Sequence, residues 1–508
     1  MPDQPSRLIA FLARHGRCQP QHRPWPRYQL EREDWVLLGH SLASNADWLL
    51  IGLWAEGGPP VARVHMALFD EEGGLPAIAS LECPESSFPS VGWARPGAIR
   101  LERTIRDLHG LTPLDPVDDR PWLIHDPALP YRFLPVEGYN LHHIPVGPVH
   151  AGIIEPGHFR FTCAGETVVR LEERLGYVHK GIEQLLCGAS LEQAARIVGR
   201  VSGDSAVAYA LAFARAVEAA TQTEAPPRAH HIRALMAELE RIANHLGDIG
   251  AICNDAAFAF MHARCGELRE DVLRTAEACF GHRLMMDCVV PGGVAADITE
   301  DKAARVSALV AKLHLQTKRL AKVYDQEASL QDRTVGTGAL SSRLAHRFAA
   351  GGFIGRASSR TFDARVQPGY APYDQMEFGV PMLTEGDVNA RVLLRFHEIE
   401  SSLSLIERLI ASLPAGPVLC PLTATGAPTG APTGNEEREG VALVEGFRGD
   451  VLVWLRLAAD GKTVRRCHPR DPSWFQWPLL EAAINGNIVP DFPLCNKSFN
   501  CSYAGHDL

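Results

Sequence analysis

Residues Arg228–Gly250, RAHHIRALMAELERIANHLGDIG, set the expected fold of this 508-residue chain. The stretch carries apolar side chains at helical spacing, at Ile232, Leu235, Met236, Leu239, Ile242, Leu246 and Ile249. Residues at this spacing share one face of an α-helix. Residues Val388–Leu413, VNARVLLRFHEIESSLSLIERLIASL, show the same pattern. Long helices of this kind bury their apolar faces against one another, so we expect residues 170–413 to be predominantly helical.

The flanking segments predict strands and a linker. Period-two runs such as DWLLIGLW and PPVARVHMALFD, followed by the charged stretch ARPGAIRLERTIRDLHG, predict a small α/β domain over residues 1–110. The Pro- and Asp-rich residues 111–143 predict a linker, and residues 144–508 a mainly helical domain with a minor β-sheet. The fold class is therefore α+β. A Gly-Ala-Pro-Thr repeat between Pro421 and Arg438 predicts a surface loop.

The composition limits the classes of function. The chain is 46% hydrophobic and 22% charged, with a net charge of -10 and no polybasic run, so we expect no nucleic-acid partner. No uncharged apolar stretch is long enough to span a bilayer, and the N-terminus lacks a signal-peptide pattern. None of the 12 cysteines forms a Cys-x-x-Cys pair. We therefore expect reduced thiols and no metal site made by this chain alone.

Two segments rich in His and Glu are candidates for chemistry. GPVHAGIIEPGHFRF, residues 147–161, places His150 and Glu155 among glycines and prolines. These side chains could relay protons, or the segment could be a solvated turn between two strands. GYVHKGIEQL, residues 176–185, places His179 near Glu183 at helical spacing. That pattern is also typical of a salt-bridged helix face.

Three further polar segments have structural alternatives. Asp248 lies near the end of the amphipathic helix, where a carboxylate needs a partner that holds it against the helix dipole. Arg448 lies between glycines in VEGFRGD and could be an exposed hairpin residue. RVSGDS, residues 200–205, favours a helix N-cap in which Ser202 or Ser205, with Asp204, accepts from free backbone N–H groups. A serine nucleophile has little support there, because the chain lacks a G-x-S-x-G elbow.

Read in order, these segments resemble one family. HIPVGPVHAGIIEPGHFRF, YVHKGIEQL, RVSGDS, ELERIANHLGDIGAICND, VVPGGV, RASSRTFDARVQPGYAPYDQMEFGVPMLTEGDVNARVLLR and VEGFRGD resemble the large subunits of group 4 [NiFe]-hydrogenases and the 49 kDa subunit of complex I. FPSVGWARPGAIRLERTIRDLHGL is similar to the 30 kDa subunit of complex I. This order matches the fused large subunits of the hydrogenase-4 and formate hydrogenlyase type. The resemblance covers most of the chain.

The resemblance implies that the nickel–iron ligands have been lost. Active hydrogenases hold the metals with two Cys-x-x-Cys pairs. The first pair falls on Ser202 and Ser205, and the second falls near Ser502 and Gly505 within CNKSFNCSYAGHDL. A serine hydroxyl is a poor substitute for a soft thiolate. We therefore expect no [NiFe] centre and no metal ligands on this chain.

The resemblance also implies a site for a quinone. Complex I uses the vacated cavity for quinone, and its histidine and partner carboxylate fall on His150 and Asp248. Its headgroup-binding tyrosine falls on Gly203, and Tyr209 is a candidate to compensate. Two hydrogenase residues, the Glu that relays protons and the Arg beside the iron, fall on Glu155 and Arg448. His150, Asp248 and Glu155 are the expected catalytic residues, while the expected binding residues are Ser202, Gly203, Ser205, Arg448 and His179.

The resemblance finally implies partners and a location. We expect an iron–sulfur small subunit docked near His179 and Glu183, antiporter-like membrane subunits, and a cytoplasmic location peripheral to the inner face of the membrane. In such a complex I-like or hydrogenase-4-like oxidoreductase, with NAD binding among its implied properties, electrons would pass from the partner's cluster to a quinone-like acceptor. Two alternatives are a non-catalytic scaffold that couples conformational change and an active hydrogenase with unusual ligands.

Overall fold

A computed structural model of the chain describes residues 6–57, 61–125, 130–152, 154–422 and 437–508. Most of the predicted Gly-Ala-Pro-Thr loop, residues 423–436, lies outside these ranges. The described residues combine long helices with small sheets, so the predicted α+β class is confirmed.

The N-terminal part builds a sheet in the order β1-β3-β6-β5-β4. Its helices are α1 Arg7–His15, α2 Arg32–Ser44 and α3 Ala98–His109. The strands of this region are β1 Gly16–Cys18, β2 His22–Arg23, β3 Arg27–Leu30, β4 Trp48–Glu56, β5 Arg63–Asp70, β6 Leu75–Glu82, β7 Ser87–Pro89 and β8 Thr112–Leu114. Every residue of β4 is buried, because α3 and the C-terminal part of the chain pack against it.

The remainder of the chain is mainly helical. Its helices are α4 Ile182–Leu186, α5 Leu191–Val198, α6 Ala206–Thr221, α7 Pro227–Asp255, α8 Ala259–Phe280, α9 Glu300–Gln326, α10 Ala328–Thr334, α11 Ser342–Arg347, α12 Gly352–Arg356, α13 Val388–Ala411, α14 Ser473–Ala483, α15 Phe492–Phe499 and α16 Tyr503–Asp507. Single 3₁₀ or π turns occur at Gly203–Ser205, Arg365–Gly369, Tyr373–Gln375 and Val489–Asp491. Helices α7, α8, α9 and α13 pack on one another around the apolar faces that the sequence predicts.

Small sheets frame the helices. Their strands are β9 Leu141–Val146, β10 His158–Ala164, β11 Thr167–Arg174, β12 Val289–Val290, β13 Gly293–Val294, β14 Arg438–Glu445, β15 Asp450–Leu457 and β16 Val464–Arg470. One sheet has the order β11-β10-β9 and another has the order β16-β15-β14-β2. The latter sheet includes β2 from the N-terminal part, paired in parallel with β14, so the two parts share backbone hydrogen bonds.

Helix α7 is buried on its polar face as well as on its apolar face. Glu238, Arg241, His245 and Asp248 are each at most 7% exposed. Each meets a buried hydrogen-bonding partner: Glu238 Oε1 lies 2.9 Å from Arg365 Nη1, and His245 Nε2 lies 2.7 Å from Glu398 Oε2. The periodicity predicts the apolar face correctly. It does not show that the charged face is interior, because that depends on charges supplied by distant segments.

The guanidinium of Arg356 is the centre of this buried network. It is 0% exposed and lies within 3.4 Å of carboxylate oxygens of Glu398, Glu445 and Asp363. A buried cation surrounded by carboxylates is held by mutual attraction, and its removal leaves unpaired buried negative charge.

We predict that Arg356→Met lowers the free energy of unfolding by about 3–5 kcal/mol, because three buried carboxylates lose their shared cation. Denaturant unfolding of the purified chain measures this change. Arg264→Met is the control, since Arg264 forms an exposed pair with Glu267 and its loss should cost less than about 1 kcal/mol. Equal effects of the two substitutions would contradict the importance of the network.

Candidate functional site

A cavity of about 530 Å³, here called the inner cavity, lies where four segments meet. These are the loop between β9 and β10, the turn at residues 202–204, the β14–β15 turn at Arg448, and the C-terminal residues 492–504. Of the predicted site residues, the cavity brings together His150, Glu155, Ser202, Gly203 and Arg448. Ser205 supports its wall, whereas Asp248 and His179 lie elsewhere.

The two ends of the loop that carries His150 and Glu155 approach each other closely at Gly147 and Gly157. A Cβ at Gly147, which has φ +83°, would lie 2.2 Å from the carbonyl oxygen of Gly157. Only a residue without a side chain permits this approach. The predicted turn between two strands is thus present, and its His150 and Glu155 side chains line the inner cavity.

Two serines that are 300 residues apart in the chain meet at the cavity. Ser202 Oγ lies 3.0 Å from Ser502 Oγ and donates to Asp204 Oδ1 at 2.7 Å. Ser502 Oγ accepts the Gly505 N–H at 2.9 Å. The two chain segments to which the resemblance assigns metal ligands are therefore adjacent, and they present hydroxyls that are already hydrogen-bonded.

These groups do not fit a nickel–iron centre, which needs several thiolates. Cys501 lines the cavity, but burial raises the pKa of its thiol well above the usual range. Burial likewise raises the pKa of Cys495 to about 11, and its sulfur packs against Gly338. Two cysteines in these positions, without a Cys-x-x-Cys pair, supply fewer thiolates than such a centre needs.

An ion pair forms part of the cavity wall. Arg448 Nη2 donates to Asp204 Oδ2 at 2.5 Å, and Arg448 Nε donates to the Asn500 carbonyl at 2.6 Å. Burial opposes ionisation of Asp204, but the charge and hydrogen bonds of Arg448 hold the pKa of this carboxyl below its usual range. Arg448 is 2% exposed, so the expectation of an exposed hairpin residue is wrong.

The predicted N-cap at RVSGDS is also wrong. Neither Ser202 nor Ser205 accepts a hydrogen bond from the backbone at the start of α6, and both hydroxyls are directed to Asp204, to which they donate. The two carboxyl oxygens of Glu240 on α7 accept instead from the Val207 and Ala208 N–H groups, at 2.7 and 3.1 Å. A partner 33 residues away in sequence thus provides the cap.

The expected pair of His150 and Asp248 does not form. Asp248 accepts from Arg395 Nε at 3.1 Å and from Asn500 Nδ2 at 2.9 Å. His150 Nε2 instead lies 3.5 Å from the Tyr503 hydroxyl. Asn500 lines the cavity, so Asp248 lies one side chain behind its wall.

Burial lowers the pKa of His150, so its imidazole is neutral near pH 7. A neutral imidazole has one donor and one acceptor nitrogen, and it can exchange a proton with a bound molecule. Tyr209 does not compensate for Gly203, because its hydroxyl donates to Asp471 at 2.6 Å in the protein interior.

The sequence reading missed several cavity residues. Tyr503, Lys497, Asn496 and Asn500 all line the inner cavity, together with Asp255 from the end of α7. Four of them lie in CNKSFNCSYAGHDL, a segment in which the family resemblance places sulfur ligands and not a polar wall. The sequence feature that could have identified these residues is the high density of polar side chains next to Ser502.

His179 lies in a different depression, here called the outer cleft, of about 590 Å³. Its Nδ1 lies 2.7 Å from the Asp507 carbonyl oxygen. His179 precedes α4, which begins at Ile182, so the salt-bridged helix face is not formed. Glu183 binds His468 Nδ1 at 2.5 Å and lies 3.7 Å from His109. Burial would raise the pKa of Glu183, but the charge of His468 and hydrogen bonds from both histidines lower it to about 2.

Among the described residues, Asp47, Glu71 and His346 are close enough to share one metal ion. Glu71 already pairs with Arg360 at 3.0 Å and with His346 at 2.8 Å. None of the three lines the inner cavity.

Comparison with known proteins places this site in a family. Residues 248–429 match the family described as the 49 kDa subunit of respiratory-chain NADH dehydrogenase, and residues 180–247 match nickel-dependent hydrogenase. The carbon monoxide-induced hydrogenase of Rhodospirillum rubrum is 30% identical over 358 residues, which cover 70% of this chain and 96% of that protein. The chain belongs to the family of hydrogenase large subunits and complex I 49 kDa subunits.

Other members of this family extend the likeness over more of the chain. Formate hydrogenlyase subunit 5 of Escherichia coli (strain K12) is 28% identical over 453 residues, covering 84% of this chain and 78% of that protein. A chain of the membrane-bound sulfane sulfur reductase, an archaeal respiratory membrane complex, aligns with a TM-score of 0.65 and 25% identity. The alignment covers 73% of this chain and all of that one.

The helices of the described ranges differ from membrane-spanning helices in length or in polarity. None of those helices is both long enough and apolar enough to cross a membrane.

Two glycines of the site, Gly505 and Gly203, differ in the space that surrounds them. A Cβ at Gly505 would lie 2.3 Å from Asp471 Oδ2, whereas a Cβ at Gly203 has no neighbour within 4 Å among the described residues. We predict that Gly505→Ala lowers the free energy of unfolding by about 1–3 kcal/mol, since overpacking shifts Asp471. Gly203→Ala should change it by less than about 0.5 kcal/mol. Thermal unfolding of both variants checks the difference, and equal stability would contradict this packing.

Glu240 makes the stability of the folded protein depend on pH. Burial raises its pKa to about 8, against the effect of its two backbone hydrogen bonds. The folded protein then binds this proton more tightly than the unfolded chain does, so the associated stability is complete below about pH 4.5 and is lost as the pH rises through about 8. Glu240→Gln should remove up to about 1.4 kcal/mol per pH unit of this slope. Denaturant unfolding at several pH values measures it, with exposed Glu267→Gln as the control; an unchanged slope in Glu240→Gln would contradict the assignment.

Proposed function

We propose that this chain is the large subunit of a membrane-associated oxidoreductase complex and that a quinone-like acceptor is reduced in its inner cavity, without a nickel–iron centre. The observation that carries the proposal is the composition of the cavity wall. Hydroxyls of Ser202 and Ser502 replace thiolates, while His150, Glu155 and Lys497 provide polar groups beside the rings of Phe159 and Phe492.

This mixture suits a flat, weakly polar molecule. The wall combines apolar side chains with about as many polar or charged ones, and polar groups that converge beside apolar surface are typical of small-molecule sites. The aromatic rings give a surface for a quinone ring, and a His or Lys side chain can donate to its carbonyl oxygen. Gly203 leaves open space where complex I carries a tyrosine, so the headgroup would depend on His150 and Lys497.

Protons for the reaction would come from groups in the wall. Reduction of a quinone to a quinol takes up two electrons and two protons. In this scheme the neutral imidazole of His150 relays both protons, taking each one up from the solvent side and passing it to the acceptor, and the Tyr503 hydroxyl, 3.5 Å away, orients the ring. Glu155 is exposed at the cavity and is placed to return a proton from solvent.

Electrons would enter from an iron–sulfur cluster of a partner subunit docked at the outer cleft. The C-terminal residues support this direction, since Ala504 lines the inner cavity and Leu508 lines the outer cleft. Helix α16 leads from Ala504 to Leu508, and four residues of an α-helix span only about 6 Å along its axis. The carbonyl of Leu508 accepts from the Lys180 and Gly181 N–H groups at 2.8 and 3.1 Å, which fixes the connection.

The family members support partners in a membrane complex. Two relatives are named as subunits of formate hydrogenlyase and NADH-quinone oxidoreductase, and the similar solved structure is a membrane-bound complex. We therefore place the chain peripherally on the cytoplasmic face, attached through antiporter-like membrane subunits. We assign NAD binding to another subunit, because in this proposal the electrons reach the chain through a cluster.

We predict that His150→Ala lowers the rate of quinone reduction about 100-fold, because the cavity loses its proton donor. The assay uses the purified complex, a short-chain ubiquinone analogue and a chemical reductant of the partner's cluster. His142→Ala is the matched control, since His142 is an exposed histidine on β9 and does not line the cavity.

An unchanged rate in His150→Ala would contradict reduction in the inner cavity. If the native complex reduces no quinone while its cluster is reducible, the chain is better described as a scaffold that couples conformational change. Arg448 and Asp204 in the cavity wall already neutralise each other's charge and leave less charge for a bound molecule, which favours that second function.

A further inference from the structure

A third cavity, here called the side cavity, lies behind the inner cavity. It measures about 500 Å³ and is lined by residues of α3, the linker, β11 and α14, among them Arg100, Glu173 and Glu481. Val117, which is 56% exposed, stands at its edge, so the cavity opens to solvent.

Two carboxyl groups share one guanidinium at the inner end of the side cavity. Arg100 Nη2 lies 2.8 Å from Glu481 Oε1, and Arg100 Nη1 lies 3.4 Å from Glu173 Oε2. The Glu173 backbone N–H donates to the same Glu481 oxygen at 2.7 Å. Glu173 is 1% exposed, and its Oε1 has no hydrogen-bond partner among the described residues. A buried acceptor without a partner is costly, and a proton on the pair relieves that cost.

The charges around the pair favour one shared proton. Burial raises the pKa of Glu173 well above its usual range; the charge of Glu481 adds to the effect and Arg100 opposes it. Burial also raises the pKa of Glu481, with Glu172 adding and Arg100 and Arg170 opposing. On the side facing the inner cavity, the neighbours that sense the charge of Glu173 are Tyr503, Cys501 and Cys495. Two adjacent carboxylates with one close cation retain a proton more readily than either group alone.

The pair lies directly behind the aromatic wall of the inner cavity. Glu173 on β11 is the Cα partner of Phe159 on β10, and directly opposite residues of antiparallel strands point to the same face. Phe159 lines the inner cavity. Trp477, one helical turn before Glu481 on α14, packs on Tyr503 with ring centroids 4.9 Å apart. Tyr503 in turn approaches His150.

We propose that Glu173 and Glu481, which are both bound to Arg100, together carry one proton and exchange it between the solvent-open side cavity and the inner cavity. The O–H bond of the carboxylic acid breaks, the proton passes towards Tyr503 and His150, and Arg100 stabilises the carboxylate that remains. Solvent in the side cavity then returns a proton to the pair. Proton delivery to the inner cavity rests on the proposed function, because reduction of the acceptor consumes the proton. The presence of the shared proton does not depend on that function.

Infrared spectroscopy of the purified complex, without acceptor, tests the shared proton. The native protein should show a protonated-carboxyl band at neutral pH from this pair, and Glu173→Gln and Glu481→Gln should each lose that contribution. Other buried carboxyls also contribute, so the native-minus-variant difference is the measured quantity. Exposed Glu192→Gln is the control and should lose no protonated carboxyl. No loss in either folded variant would overturn the proposal.

Two further measurements test exchange. Transfer to D₂O should shift the pair's band at once, and a band that resists exchange would overturn access from the side cavity. In quinone turnover, Glu173→Gln should lower kcat about tenfold with KM unchanged, and Glu192→Gln should leave both native. If Glu173→Gln keeps the native kcat at every pH while His150→Ala inactivates the complex, the delivery of protons by this pair is overturned. Absence of quinone turnover in the native complex would contradict only the proposed acceptor, because the infrared result needs none.

Discussion

The charged face of α7 is the constraint on which the rest of the structure depends. Glu238, His245 and Asp248 lie inside the protein and take partners from distant segments, including Arg365, Glu398 and Arg395. Because an unpaired buried charge is costly, a packing that separated these segments would be destabilised. Glu240 on the same helix holds the start of α6, and thereby fixes the turn at residues 202–204 in the wall of the inner cavity.

The C-terminal residues connect this rigid interior to the two functional surfaces. Ser502 meets Ser202 at the inner cavity, and Asp507 accepts from the Gly176 and Val178 N–H groups beside the outer cleft. The same short segment therefore contacts both the expected site of the acceptor and the expected entry point of electrons. Ser202 and Ser502, which the family resemblance aligns with metal-ligand positions, are held by contacts with each other, with Asp204 and with the Gly505 N–H, and the Arg448–Asp204 ion pair lies beside them.

Local pattern and family likeness predicted the helices, the α+β class and part of the cavity wall. His150, Glu155, Ser202, Gly203 and Arg448 do come together. What could not be predicted depends on partners far apart in sequence: the cap that Glu240 provides to α6, and the pairing of Asp248 with Arg395. Spacing within a segment reports which residues share a face, but it does not report which remote charge will meet that face.

The central claim is that the position vacated by the metal ligands is now a binding site for a quinone-like acceptor. The most direct measurement is photo-crosslinking of the purified complex with a light-activated quinone analogue, followed by peptide mapping. The account predicts labels within residues 146–159 and 492–504 that excess short-chain ubiquinone prevents. Labels confined to other subunits, or labels in these residues that competitor does not reduce, would contradict it.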